Sequence, residues 1–395
     1  MTNKTIVLIG FENQPNLGVG YLAAVLTEGG FEVELLDFAA GKEALLERII
    51  DADPLIVGLS IIFQYYTPDF AELVAFLRRH GVTSMICAGG HYPSLRSEET
   101  LQAIPGLDCV VRFEGEYTLL EMARRLEKGE DWHDLQSIAY LADGACTETP
   151  LRPLISDLDA LPIPHRRTSP YQCLGIRSTS MLASRGCPRG CSFCSIRRFY
   201  AIPPGRVRRT RSPENVVEEM LQLHQDHGVQ IFLFQDDDFS LMSKRDRDWA
   251  YEFLDGLRRT GLDDSVMWKL NCRADEVEPE IFADFKSAGL FLVYLGLESG
   301  NETGLRTLNK HITVEQNRQA VETLKSIGLR YEFGFMLFDP SSTFDLVLEN
   351  VDFLRDICGD GSSPAPFCKM LPYAGTDIEE TLRELGRLHG DVRHP

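Results

Sequence analysis

The chain has 395 residues, a quarter of them charged, and a formal net charge of −19. No apolar run reaches the roughly 18 to 20 residues that a membrane helix requires, so we expect no membrane span. The negative charge argues against general electrostatic binding to nucleic acid. The length suits two globular domains rather than a single core.

The N-terminal sequence MTNKTIVLIG is typical of a first β-strand, because one Lys precedes a short apolar run that ends at a glycine turn. A secretion signal is therefore not expected, and we predict that the chain stays in the cytoplasm. One basic run contains Arg206, Arg208, Arg209 and Arg211. We interpret this run as a solvated loop rather than a nucleic-acid site.

From Thr5 to about Lys128, short apolar runs alternate with amphipathic stretches. About five apolar strands separated by helices indicate a parallel sheet with helices on both faces. We therefore predict an α/β fold that begins with a doubly wound, Rossmann-like domain over residues 1–128. Residues 129–178 interrupt the alternation and contain several prolines, which predicts a linker with minor structure.

From Thr179 the alternation of strands and helices resumes and gives about six βα units, whereas a complete (β/α)8 barrel would need eight. We predict that the second domain, residues 179–395, is a partial (β/α)6 TIM-like barrel. Ligands of both folds bind at the carboxyl ends of the strands. Small and polar loop residues follow the predicted strands in both halves of this chain.

Three cysteines cluster directly after the first predicted barrel strand, in the sequence SRGCPRGCSFC. Thiolates at this spacing can surround one side of an iron–sulfur cubane, and the intervening glycines let the backbone approach it closely. Three ligands on a four-iron cluster leave one iron open to a further ligand. A structural zinc site is the alternative, but no fourth Cys or His stands out nearby. The predicted metal ligands are Cys187, Cys191 and Cys194.

This loop, at this place, resembles the signature of the radical S-adenosylmethionine superfamily, which is C-x3-C-x2-C. The resemblance spans about residues 179–376. It implies a [4Fe-4S] cluster whose open iron holds S-adenosylmethionine, and whose electron breaks the sulfur–carbon bond to give a 5′-deoxyadenosyl radical. It also implies contacts with S-adenosylmethionine from Phe193, Asp236, Asp237, Arg273, Glu298, Ser299 and Gly334.

The implied roles begin at the first strands of the barrel. By this resemblance Phe193 would pack beside the adenine. Asp236 and Asp237 would lie near the methionine amino group, although a helix-capping turn is an alternative for them. Arg273 would pair with the methionine carboxylate, for which a guanidinium has suitable geometry.

Two later strands carry the other implied contacts. Glu298 and Ser299, in the phrase LGLESG, would contact the ribose hydroxyls or the methionine moiety. Gly334 would let the adenosine approach the fifth strand. A packing role for this glycine is the alternative.

The first domain resembles the cobalamin-binding domain of the B12-dependent branch of the same superfamily. The similarity rests on the phrases NLGVGYLA, VGLS, GGHYP and FEGE, which occur in this order at the predicted strand ends. The two adjacent glycines of GGHYP would let the cobalamin nucleotide tail pass between strand and helix. The implied cobalamin contacts are Asn16, Gly18, Ser60, Gly89, Gly90, His91 and Glu114.

One departure concerns the cobalt ligand. The D-x-H-x-x-G motif, which places a histidine beneath cobalt in many B12 enzymes, is absent from the sequence. For His91, a hydrogen bond to the tail or the backbone is favoured over cobalt ligation. The lower face of cobalt is therefore expected to hold water, a weak side chain or nothing.

The resemblance implies an enzyme that methylates an unactivated carbon of a small-molecule or natural-product substrate, with a flavodoxin or ferredoxin-type electron donor. Cyclisation or rearrangement without methyl transfer is one alternative. A non-catalytic cobalamin-binding regulatory module is another, but the intact cysteine loop argues against it. Sulfur insertion into RNA or protein would normally bring a second cluster or an RNA-binding appendage, and the sequence suggests neither.

Overall fold

The computed structural model of the chain describes residues 4–12, 16–166, 171–173, 175–366 and 368–390. Two seven-stranded sheets organise these residues. The strands of the first sheet are β1 (Thr5–Gly10), β2 (Glu32–Asp37), β3 (Ile56–Ser60), β4 (Met85–Gly89), β5 (Cys109–Val111), β6 (Ile138–Ala142) and β7 (Ala145–Glu148). The helices along this half of the chain are α1 (Leu17–Glu28), α2 (Lys42–Ala52), α3 (Thr67–Arg79), α4 (His91–Leu95), α5 (Ser97–Ala103) and α6 (Glu116–Lys128).

The first sheet has the strand order β2-β1-β3-β4-β5-β6-β7, and β1 to β5 are mutually parallel. Helices cover both of its faces. Along β1, Ile6 and Leu8 pack in the cluster that contains α1 and α6, whereas Val7 and Ile9 pack in the cluster that contains α2 and α3. A strand buried on both faces requires a continuous apolar run, which is why TIVLIG predicted it. The predicted doubly wound, Rossmann-like domain is confirmed.

The first sheet continues into the segment 129–178, which we predicted as a linker with minor structure. β6 pairs antiparallel with β5, and β7 pairs antiparallel with β6. The turn between β6 and β7 is Asp143-Gly144, with φ values of 49° and 82°. Asp-Gly is a strong sequence signal for a two-residue hairpin turn. The sheet thus extends to Glu148, beyond the predicted domain boundary at 128.

The second sheet curls into a partial barrel. Its strands are β8 (Tyr171–Cys173), β9 (Ile176–Met181), β12 (Ile231–Phe234), β13 (Met267–Arg273), β14 (Leu290–Glu298), β15 (Arg330–Phe338) and β16 (Cys368–Lys369). Two short strands, β10 (Ser184–Arg185) and β11 (Arg209–Thr210), form a separate antiparallel strand pair. The order is β16-β15-β14-β13-β12-β9-β8. Six of these strands, β9 and β12 to β16, are parallel, and β8 is an antiparallel edge strand. The predicted partial (β/α)6 barrel is confirmed.

Eight helices accompany the described barrel strands. They are α7 (Ser195–Ala201), α8 (Pro213–His227), α9 (Lys244–Thr260), α10 (Pro279–Ser287), α11 (Glu302–Thr307), α12 (Val314–Ile327), α13 (Phe344–Cys358) and α14 (Asp377–Glu384). Trp268 and Leu270 on β13 are fully buried among these helices. Because side chains alternate along a strand, Lys269, Asn271 and Arg273 face the concave side. None of the helices in the described ranges is long and apolar enough to cross a membrane.

The segment after β16 returns to both domains. The Ile378 amide donates a hydrogen bond of 3.0 Å to the Ser192 carbonyl, between two of the predicted cysteine ligands. The Gln64 side chain, which follows β3, accepts from the Ala374 amide at 2.6 Å and donates to the Pro372 carbonyl at 3.4 Å. This segment therefore connects the first domain to the cysteine loop.

Candidate cofactor sites

The cysteine loop, residues 186–194, begins directly after β10 and ends at α7. Gly186 has a φ of +82°, and a Cβ at this position would lie 2.0 Å from the Val207 carbonyl oxygen. Only glycine avoids both the steric clash and the backbone strain. The glycine immediately before Cys187 thus lets the loop leave β10 close to the backbone at Val207.

Two aspartates after β12 hold the start of this loop. Asp236 accepts hydrogen bonds from the Ala183 amide at 3.1 Å and the Ser184 hydroxyl at 2.6 Å. Asp237 accepts from the Gly186 amide at 2.9 Å, and burial raises the pKa of Asp237 to about 6. We expected both carboxylates near the methionine amino group. The structure brings both to the cysteine loop, and their contact with the cofactor stays a prediction.

The three thiols of the cysteine loop are partly buried. Burial raises the pKa of Cys187 and of Cys194 to about 12, and a metal that binds the thiolates would displace those protons. The Cys187 thiol lies 3.8 Å from Asp238 Oδ2. Among the described residues, no three Cys, His, Asp or Glu side chains are close enough to hold one metal ion together. The assignment of the thiols to a cluster rests on their sequence pattern, C-x3-C-x2-C.

Two cationic side chains approach Cys191. Arg273 Nη1 lies 3.9 Å from the Cys191 sulfur, and Arg273 is also held by Asp275 and by the Lys310 carbonyl. The Lys310 ammonium donates to Glu298 Oε1 at 3.2 Å. Burial opposes the charge on Lys310, but Glu298 and Cys191 outweigh it and raise the pKa of Lys310 above its ordinary value. Arg273 therefore places a positive charge beside the second thiol of the loop.

Glu298 lies over a pair of glycines. Gly296 and Gly334 are register partners on β14 and β15. A Cβ at Gly296 would lie 3.0 Å from Glu298 Oε1, and a Cβ at Gly334 would lie 3.3 Å from Glu298 Oε2 and 3.2 Å from the Tyr294 hydroxyl. The described contacts of Gly334 therefore make room for Glu298 and Tyr294. Its predicted role in adenosine approach stays a prediction, as does the contact of Glu298 with S-adenosylmethionine.

Ser299, next to Glu298, is turned into the protein. Its side chain is fully buried, and its hydroxyl lies 3.3 Å from Asn350 Oδ1 and accepts from the Asn301 amide at 3.3 Å. Asn350 Oδ1 also accepts from the Gly300 amide at 2.8 Å. This network fixes the turn after β14. The predicted contact of Ser299 with the cofactor stays a prediction.

Phe193 lies inside the cysteine loop and is half-buried. Its ring packs in an apolar cluster with Leu308, Met370 and Ile378. Its neighbour Ser192 donates through its amide to the Leu308 carbonyl at 3.0 Å. These contacts fix the ring beside the last two thiols, and its predicted stacking on adenine stays a prediction.

A cavity of about 600 Å³ lies between the two domains, and we call it the interdomain cavity. On the barrel side it is lined by Arg185, Tyr200, Gln235 and Asp237. It opens at the carboxyl ends of the first sheet, where such folds bind ligands. All seven residues expected to contact cobalamin line it, namely Asn16, Gly18, Ser60, Gly89, Gly90, His91 and Glu114.

Local structure explains two of these seven residues. The Asn16 side chain caps α1 by accepting from the Val19 amide at 3.2 Å. Gly90 has a φ of +110°, and a Cβ there would lie 2.4 Å from the Ile61 carbonyl oxygen. The loop after β4 therefore passes against the loop after β3 only because Gly90 has no side chain.

His91 begins α4 and contacts the barrel domain. Its Nδ1 lies 3.3 Å from the Ser195 hydroxyl, and its ring stacks on Phe199 with centroids 4.3 Å apart. Burial lowers the pKa of His91 to about 4, so the imidazole is neutral near neutral pH. Ser195 directly follows Cys194. His91 thus connects the cobalamin-side loop to the end of the cysteine loop, and its absence from the cobalt stays a prediction.

The basic run of the sequence is mostly not solvated, so our interpretation of it as a solvated loop was wrong. Arg206 is exposed, but the other three arginines pair with carboxylates on different elements. Sequence spacing could not identify these partners, because they lie far away along the chain or in another helix. The ion pairs are Arg208–Asp246 (2.6 Å), Arg209–Glu114 (2.8 Å) and Arg211–Glu219 (2.5 Å).

Family models match both halves of the chain. A model described as B12 binding domain matches residues 6–123, and a model described as Radical SAM superfamily matches residues 181–354. The first range contains all the residues expected to contact cobalamin. The second contains the cysteine loop and all the residues expected to contact S-adenosylmethionine.

Curated relatives extend along nearly the whole chain. An uncharacterized methyltransferase of Pyrococcus horikoshii is 30% identical over 376 residues, which cover 93% of this chain and 78% of the relative. An anaerobic magnesium-protoporphyrin IX monomethyl ester cyclase of Rubrivivax gelatinosus is 28% identical and covers 93% of this chain and 67% of the relative. Both relatives are therefore longer than the region they share with this chain.

A solved structure has the same arrangement of two domains. The cobalamin-dependent S-adenosylmethionine radical enzyme OxsB, solved with aqua-cobalamin and S-adenosylmethionine bound, superimposes with a TM-score of 0.81 at 21% identity. The match covers 99% of this chain and 63% of OxsB. The three thiols and the interdomain cavity fit a [4Fe-4S] cluster, S-adenosylmethionine and cobalamin, which are the cofactors of this family. The chain belongs to the cobalamin-dependent radical S-adenosylmethionine enzymes.

Proposed function

We propose that this chain methylates an unactivated carbon of a small molecule. One observation carries the proposal: the interdomain cavity is lined on one side by the cobalamin-domain loops and on the other by Gln235 and Asp237, the second of which binds the start of the cysteine loop. A cavity that extends from the cobalamin-side loops to Asp237 suits a reaction in which a radical and a methyl donor meet on one substrate. The methyltransferase name of the Pyrococcus relative agrees with this.

The described residues of both domains would bind and shield the cofactors. When bound, cobalamin supplies a transferable methyl group, and the cluster supplies the electron that cleaves S-adenosylmethionine to a radical. Arg273 places positive charge beside Cys191, and Asp236 and Asp237 hold the start of the segment that carries the thiols. The apolar side chains of the interdomain cavity, such as Leu8, would exclude water from a reactive carbon.

A radical cyclisation or rearrangement without net methyl transfer is the competing function. It is favoured by the Rubrivivax relative, which is named a cyclase and is 28% identical to this chain. The two functions require the same cofactors. They differ in what happens to the methyl group of S-adenosylmethionine.

The first test needs no substrate. Purified protein would be reconstituted with iron, sulfide and cobalamin, reduced chemically, and mixed with S-adenosylmethionine that carries a labelled methyl group. A methyltransferase must reload its cobalamin, so labelled methylcobalamin and S-adenosylhomocysteine should appear in about equal amounts. Formation of deoxyadenosine without either product would contradict methyl transfer and favour the cyclase-type reaction.

The second test uses product stoichiometry on candidate substrates. In a methylation cycle one S-adenosylmethionine gives deoxyadenosine and another gives S-adenosylhomocysteine, so both should accumulate equally. Substrate-dependent deoxyadenosine with no labelled methyl in the product would exclude methylation while leaving the radical chemistry intact.

We also propose that the electron comes from a flavodoxin or ferredoxin-type protein and that the chain works in the cytoplasm. The nine cysteines whose side chains the structure describes are free thiols, which agrees with a reducing compartment. Reduction of the reconstituted cluster by a purified flavodoxin and its reductase, followed by absorbance, tests the donor. Fractionation of cells that express the tagged chain tests the location.

A further inference from the structure

Glu114 lies in the loop after β5 of the first domain, but its hydrogen bonds are made by residues of later segments. Both of its oxygens accept from Arg209 Nη1, at 2.9 and 2.8 Å, and Oε1 also accepts from Arg185 Nη1 at 3.2 Å. Oε2 accepts from the Ile155 amide at 2.7 Å. The carboxylate is thereby satisfied by this chain's own donors.

The two arginines are register partners in the β10–β11 strand pair. Arg185 also pairs with Glu116 at 2.8 Å, and its guanidinium lies over the Tyr21 ring at 4.7 Å. All four charged side chains of this group are at most 9% exposed, and Glu114, Glu116 and Arg185 also line the interdomain cavity. A buried charge that loses its partner is strongly unfavourable. The group therefore holds the β10–β11 strand pair in one position relative to the first domain.

The β10–β11 strand pair sets the position of the cysteine loop. Arg185 is followed directly by Gly186 and Cys187, and the Gly186 backbone is closely packed against Val207 in the chain that leads to β11. A shift of the β10–β11 strand pair would therefore move Cys187. The connection from Glu114 to the first thiol runs through Arg185 and one glycine.

We propose that Glu114 is a positioning residue for the iron–sulfur cluster loop, which it holds through Arg185 and Arg209. The sequence had indicated Glu114 only as a cobalamin contact, and it does line the interdomain cavity. The new role makes the first domain part of the cluster site. It rests on the cofactors of the proposed function but does not depend on whether a methyl group is transferred.

The test compares Glu114→Gln with a control, Glu121→Gln, at a carboxylate that is 41% exposed whereas Glu114 is 6% exposed. Glu121 on α6 also binds two arginines, Arg125 and Arg152, but has no described contact with the β10–β11 strand pair. The first readout is hydrogen exchange of peptides that cover residues 184–194, in protein free of iron and cobalamin. The second is the rate at which a chelator removes iron from reconstituted protein. Cobalamin binding is measured separately by absorbance.

We expect Glu114→Gln to speed exchange in the loop and to raise the rate of iron loss roughly tenfold, since a hydrogen bond between charged groups contributes a factor of this order. Glu121→Gln should behave like the wild type in both measurements. If Glu114→Gln binds cobalamin poorly but leaves loop exchange and iron loss unchanged, Glu114 is a cofactor contact and the proposal is overturned. Because the first readout uses protein without cofactors, a failure of methyl transfer does not affect it.

A second variant covers the case in which Glu114→Gln does not fold. Arg209→Lys keeps the positive charge but cannot reach both Glu114 oxygens and the Ile155 carbonyl as Arg209 Nη1 does. It should fold and lose iron faster than the wild type. Wild-type exchange and wild-type iron retention in folded Arg209→Lys would overturn the proposal.

Discussion

Lys310 and Glu298 form an ion pair of 3.2 Å with side chains only 6% and 12% exposed. Glu298 ends β14 with a φ of 67°, in the left-handed region that non-glycine residues rarely adopt. This backbone bend turns the carboxylate back over Gly296 and Gly334, where the lysine meets it. The pair therefore joins the end of β14 to the loop after α11.

Breaking this pair should destabilise the protein. Lys310→Met leaves Glu298 buried without its cation, and we expect the free energy of unfolding to fall by about 3 kcal/mol. The double variant Lys310→Met with Glu298→Gln removes both charges and should recover at least half of that loss. Urea unfolding of the wild type, both single variants and the double variant measures the coupling. Additive losses would show that the two side chains do not interact.

Gly186→Ala should prevent the cysteine loop from taking its position. The added methyl group would meet the Val207 carbonyl at 2.0 Å, and we expect much less iron per chain after anaerobic reconstitution. Gly175→Ala is the matched control, because Gly175 also has a positive φ (+80°) but nothing within 4 Å of a Cβ. Both variants share the backbone strain and differ in the steric clash. Equal iron content in the two variants would contradict this prediction.

Cys191→Ala should abolish both the cluster and the cleavage of S-adenosylmethionine. The wild type is expected to bind about four irons per chain, as a cubane requires. Cys368→Ala is the control, because Cys368 is an exposed thiol on β16 and is not a predicted ligand. Iron analysis and deoxyadenosine formation measure the two effects. Retention of iron and cleavage activity by the triple variant of Cys187, Cys191 and Cys194 would refute the assignment of the site.

His91 should make the stability of the cofactor-free protein depend on pH. Its pKa is about 4 in the folded chain, below the ordinary value of 6.5, because burial disfavours the charged ring. The unfolded chain therefore binds a proton first as the pH falls. The contribution of His91 is fully present above pH 6.5 and is lost between about 6.5 and 4, by roughly 1 to 3 kcal/mol.

Thermal melts of wild type and His91→Gln at pH 7.5 and pH 5 measure this dependence. Other groups also titrate in this range, so the comparison between the two proteins isolates the histidine. We expect the wild type to lose more stability than His91→Gln on acidification. An equal loss would mean that the ring is already protonated, or not buried, in the folded chain.

The sequence predicted the features whose signals are local. The parallel strands of the first sheet are short apolar runs, and the thiols of the cysteine loop lie within eight consecutive residues. Such features depend on the chain within a few residues of each position.

The features that were missed depend on residues distant in sequence. Lys310 lies in an ordinary polar stretch, and its importance appears only when the barrel places it beside Cys191 and Glu298. Arg209 looked like part of a solvated basic loop, because its partner lies 95 residues earlier in another domain. The β6–β7 hairpin is a different case, because Asp143-Gly144 was a visible local signal among the prolines of the supposed linker.

The contact between Ser192 and Ile378 also bears on the order of events during synthesis. A ribosome makes the chain from its N-terminus, and domains generally fold as they emerge. The thiols are made nearly 190 residues before Ile378, which supplies a hydrogen bond in the middle of their loop. The loop therefore acquires its full set of contacts only when almost all of the described chain has been translated. We expect iron and sulfide to be inserted into the completed polypeptide rather than into the nascent one.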